Sequence, residues 1–93
     1  MARIEVRAMN ETTFQVTVVG RTTTTHKVTV EPQYAARLAG SAAKAATLVR
    51  KSFEFLLERE PNTSILRRFE LPVISSYFPE YEHEMQKDFA ART

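Results

Sequence analysis

The chain has no cysteine, no tryptophan and only two glycines among its 93 residues. Without cysteine there is no disulfide, no thiolate zinc site and no cysteine nucleophile, and nothing depends on an oxidising compartment. Two glycines cannot frame the phosphate-cradling loop of a nucleotide or dinucleotide site. No apolar run approaches the roughly 18 residues of a membrane span. The opening MARIEVRAMN alternates charged and apolar residues, which is wrong for a signal-peptide core. These absences read as a cytoplasmic protein with no membrane partner, in which the glycosylation-like triplets at Asn10 and Asn62 are coincidental.

What is present is enough for one modest core, so residues 1–93 are expected to form one domain, β-rich over 1–31 and helical over 32–93. The formal net charge is only +2. It is uneven: residues 1–78 carry eleven Lys/Arg against seven Asp/Glu, and residues 79–93 carry two against four. A body this weakly basic lacks the concentrated stripe of a nucleic-acid binder.

The fold class predicted is α+β, a three-stranded antiparallel β-meander followed by helices packed on one face of the sheet. Ile4, Val6 and Ala8 alternate with Arg3, Glu5 and Arg7; Phe14, Val16 and Val18 repeat the pattern, and Thr24, His26, Val28 and Val30 share one phase. Slipping a strand by one residue flips every side chain, so the demand for a single apolar face fixes the register. It pairs Ala8 with Phe14, Val6 with Val16 and Ile4 with Val18, then Val18 with Thr24, Val16 with His26 and Phe14 with Val28. Arg3, Arg7, Gln15, Thr17, Thr23, Thr25 and Lys27 are left on the opposite face, with Glu5 as its acid.

Pro32 suits the first turn of a short helix ending at Gly40, and Ser41 is a candidate cap for a main helix running to Glu60. The apolar side of that helix spans about half its circumference, wider than the stripe of roughly 100° on a surface helix, so it needs a second cover beyond the sheet. Pro61 ends it, leaving Glu58 and Glu60 at a C-terminus where the dipole disfavours anions. The expected relief is a short helix over SILRRF, capped by Asn62, Thr63 or Ser64, with Arg67 or Arg68 folding back on the glutamates. Pro79 opens a last helix with Tyr81, Met85 and Phe89 on one side.

Within residues 52 to 82, the stretches FEFLLEREPN, SIL and YFPEYE resemble the C-terminal signature of a group of small, uncharacterised bacterial proteins. The resemblance covers about a third of the chain. It implies a small α+β bacterial protein and transfers no catalytic residue.

No constellation of catalytic residues emerges, so a non-enzyme without cofactor or metal is expected. His26 lies in the apolar phase of the third strand, where a hydrogen-bonded core histidine fits better than a ligand. Glu80 and His83 form one Glu-x-x-His pair, but a di-iron bundle needs two. The function expected is a small protein-interaction module, regulatory or antitoxin-like, binding an unidentified protein or itself through Arg3, Arg7, Thr23, Thr25 and Lys27 on the sheet or Glu58, Glu60, Arg67 and Arg68 at the corner. The alternative is a nucleic-acid-binding module using Arg37, Lys44, Arg50, Lys51, Arg67 and Arg68. In outline it is similar to the double-stranded-RNA-binding domain, but it lacks that family's preceding helix and lysine cluster.

Overall fold

The computed structural model describes residues 3–40 and 44–90. Strands β1 (Arg3–Ala8), β2 (Thr13–Val19) and β3 (Thr24–Thr29) form the antiparallel meander. Its register has the expected pairs, from Ile4 opposite Val18 to Phe14 opposite Val28. The cause is visible in burial: Phe14, Val16, Val18 and Val28 are buried, while Arg3, Glu5, Arg7, Thr25 and Lys27 are exposed. At the first hairpin the Asn10 side chain accepts hydrogen bonds from the backbone N–H groups of Thr12 and Thr13, at 2.9 and 2.8 Å, the turn chemistry for which asparagine is favoured.

The sheet has a fourth strand that corrects the three-stranded expectation. Strand β4 (Arg68–Glu70) lies parallel to β3, giving the order β1-β2-β3-β4 and placing Arg68 beside Lys27 and Phe69 beside Val28. The helix expected over SILRRF is absent. In its place stand a single 3₁₀ turn at Asn62–Ser64 and extended chain leading into β4. Phe69 decides the matter, because its ring is buried against Phe53 at 6.0 Å only if Arg68 and Glu70 face outward, which is strand alternation.

Helix α1 (Pro32–Ala39) starts at its proline and ends at Gly40, whose φ of 88° is a conformation that side-chain-bearing residues resist. Helix α2 (Ala45–Leu57) is the main helix and stops three residues short of Glu60, with Glu58 as its C-terminal cap. The proposed cap Ser41 lies outside the described residues. A 3₁₀ turn at Leu71–Val73 leads into the single turn α3 (Ile74–Tyr77), and α4 (Tyr81–Ala90) follows.

The wide apolar side of α2 has its second cover. One flank meets the sheet, where Phe53 packs on His26 and Phe69, and the other meets the C-terminal segment, where Phe55 lies edge-on to Phe78 and Tyr81. Buried Ser52 explains the one polar residue in that side. Its hydroxyl donates to the Leu48 carbonyl at 2.7 Å, so the hydrogen at the 2.6 Å contact with Tyr81 is donated by the tyrosine. Burial raises the Tyr81 phenol above its ordinary value, keeping it a donor. Among the described residues, no helix is long and apolar enough to cross a membrane.

Candidate functional site on the open sheet face

Strand alternation turns one side of the sheet away from the helices, and the fourth strand changes what that side displays. The register aligns Arg7 with Gln15, Gln15 with Lys27, and Lys27 with Arg68. Four strands at the usual interstrand spacing carry this row across roughly 14 Å. Two groups of candidates that are far apart in sequence, Arg7 and Lys27 of the sheet and Arg68 of the corner, therefore share one surface. Arg3 is tied to Glu5 at 2.9 Å. Arg7, Lys27 and Arg68 make no ion pair with any described residue. Like charges side by side on neighbouring strands repel, so Lys27 beside Arg68 is an unfavourable pair within the fold. Thr23 and Thr25 lie exposed nearby, and Glu70 joins Glu5 as an acid of this face.

Beneath the row runs a relay that anchors β4. The Asn62 amide donates to the Thr22 carbonyl at 2.8 Å and to the Thr24 hydroxyl at 3.0 Å. His26 is 1% exposed, and its Nδ1 lies 2.7 Å from the Leu66 carbonyl, which can only accept, so Nδ1 carries the proton. Nε2 then accepts from the Thr24 hydroxyl at 2.8 Å. Each polar atom of the relay is satisfied by a neutral histidine. Burial lowers the His26 pKa, the Leu66 hydrogen bond opposes that, and the Arg67 charge lowers it further. The histidine is a structural clasp.

The corner at 58–68 solves its electrostatic problem differently from the expectation. Arg59, not Arg67 or Arg68, meets one of the two glutamates, Glu58, and also Glu80 ahead of the last helix, each at 3.3 Å, while Glu60 has no ion pair among the described residues. Its guanidinium also lies 3.5 Å over the Phe55 ring and donates to the Phe55 carbonyl at 2.9 Å. A cation on the last carbonyls of α2 offsets the dipole that the glutamates oppose. Glu58 is exposed, whereas Glu60 is half-buried and burial raises its carboxyl. Arg67 contributes its carbonyl to β3, accepting from the Lys27 N–H at 2.7 Å.

The other basic candidates do not form one patch. Arg37 pairs with Glu82 at 3.3 Å, Lys51 pairs with Glu54 at 3.5 Å, and Arg50 reaches the Ile4 carbonyl on the free edge of β1. Lys44 is exposed ahead of α2. Burial works against the Glu82 charge, but the Tyr34 hydroxyl at 2.9 Å and Arg37 bring its carboxyl below the ordinary range. His83 is exposed on α4, and Glu80 of its pair is engaged by Arg59. Among the described residues, no group of three or more His, Asp or Glu side chains is placed to hold a metal ion.

Sequence reasoning missed Gln15 as the bridge of the row and Glu70 as its neighbour. The signal available was the charged-apolar-charged triplet Arg68-Phe69-Glu70, too short to show a period. The stretches FEFLLEREPN, SIL and YFPEYE supply Phe53, Phe55, Leu56, Ile65 and Tyr81 to the core and Asn62 to the relay. Their visible duty is packing. No family model matches the chain, and no curated protein or solved structure matches it.

Proposed function

We propose that this is a small protein-interaction module, working inside the cell by binding rather than catalysis, which presents the open sheet face to an acidic segment of a partner protein. The observation that carries this reading is the transverse row of Arg7, Lys27 and Arg68, three cations without a counter-ion among the described residues. A row that opposes the fold's own stability is accounted for by an external anion. An antitoxin-like or other regulatory role fits such a surface. Nucleic acid is the weaker candidate for the anion, because the face offers no aromatic ring on which bases could stack.

The test is to purify the tagged protein from its host, read the absorbance ratio for nucleic acid and identify co-eluting chains by mass. The expected result is one stoichiometric acidic protein, lost at raised salt and in a variant combining Arg7→Glu, Lys27→Glu and Arg68→Glu, but kept by Lys87→Glu on α4. A companion that survives the triple reversal contradicts the surface. Nucleic acid retained by the wild type and lost from the triple variant transfers the row to the alternative.

A further inference from the structure

A cleft of about 150 Å³ opens on a different part of the molecule, between the end of α2, the segment after Pro61 and the turn α3. Its floor is buried Leu56, Ile65, Phe69 and Ile74. Leu66 and Tyr77 stand on its rim, 46% and 64% exposed, and they are two of the three large hydrophobic residues left exposed among the described residues. Glu60 closes one wall. Its carboxylate has no hydrogen bond or ion pair to any described residue, because the neighbouring Arg59 is taken by Glu58 and Glu80. The room is that of a cavity which accepts one benzene-sized group. A hollow with apolar walls and a single unpaired acid is complementary to an apolar group carrying a positive charge.

We propose that this cleft docks a segment of a partner protein in which an aromatic or branched aliphatic residue is followed by a lysine or arginine. The apolar side chain fills the hollow between Leu56 and Ile74, and the cation pairs with Glu60. Tyr77 and Leu66 lie against the flanks of the segment and exclude water from that pair. The site is separate from the cation row, and its ligand has the opposite charge. The inference therefore stands or falls without the open-face reading. Burial that raises the Glu60 carboxyl fits an acid kept in an apolar wall for a counter-ion to come.

The test uses the capped dipeptide amides acetyl-Phe-Lys and acetyl-Phe-Gln as probes, followed by amide chemical shifts of the full chain. The expected result is a saturable perturbation at Leu56, Glu60, Ile65 and Tyr77, with the lysine peptide binding about fivefold or more tighter, the order of one charge-assisted contact. Glu60→Gln should bring the two peptides to equal affinity, and Tyr77→Ala on the exposed rim should weaken both. The triple reversal on the sheet should change neither. Equal affinity of the two peptides for the wild type, perturbation elsewhere on the surface, or a lysine preference that survives Glu60→Gln would each overturn the proposal. The shifts of the β1–β2 amides report in the same spectra that every variant is folded.

Discussion

Strands β1 to β3 and strand β4 belong to one sheet but are held by different means. The meander joins neighbours in sequence through six-pair antiparallel ladders at both of its interfaces. β4 has three register pairs with β3 and depends on side chains that reach far along the chain, with His26 clasping Leu66 from 40 positions away and Asn62 reaching Thr24 from 38. The first region carries its own instructions. The second is fixed by a relay, and it is the relay that brings Arg68 to Lys27.

Phe53 joins the two regions, since its ring packs on both His26 and Phe69. Phe53→Ala should cost about 3–5 kcal/mol in urea denaturation, with both regions lost in one transition. A midpoint unchanged from the wild type would contradict this packing. Asn62→Ala acts on the β4 side, because it removes the donor to Thr24 and Thr22. The expected loss is about 1–3 kcal/mol. Hydrogen exchange should speed up at the Lys27 amide while the amides joining β1 to β2 keep their protection.

Acid acts on the same clasp. His26 has its folded pKa below its unfolded one, so the stability held above the unfolded value of about 6.5 declines as the pH falls through the lowered folded value. The slope cannot exceed about 1.4 kcal/mol per pH unit for one proton. Thermal unfolding between neutral and mildly acid pH should show this decline, and His26→Gln, less stable at neutrality, should lack that part of it. A wild-type profile as flat as the variant's would contradict a neutral histidine clasp.

The smallest effect has the opposite sign. Arg68→Glu exchanges a like-charged neighbour of Lys27 for an opposite one and should stabilise the fold by a few tenths of a kcal/mol up to about 1. The same change should weaken capture of an acidic partner. If it destabilises instead, the row is structural.

These differences also explain what could be read in advance. Ile4, Val6, Phe14, Val16, Val18 and Val28 fix the meander's register because a slip of one residue would expose all of them. The same logic placed His26 inside and opposite Val16, and the breadth of apolar surface on α2 demanded the cover that Phe78 and Tyr81 supply. Nothing comparable exists in residues 61–70, where a three-residue strand shows no period and its partner is remote. There the local signals, two arginines and a capping triplet after a proline, favoured a helix until tertiary contact at Phe69 overruled them. The candidate row was legible only in halves. Arg7 and Lys27 were visible on one face, and Arg68 waited on the strand that the sequence concealed.

Residues 68–70 close the sheet against β3, so that β3 is an interior strand. The amide of Lys27 decides it, since its N–H donates to the Arg67 carbonyl at 2.7 Å and would point into water if β3 were an edge. Native-state hydrogen exchange should find this amide protected to the same degree as those between β2 and β3. Exchange at the rate of an open sheet edge, with the meander's own ladders still protected, would contradict the fourth strand and the cation row built on it.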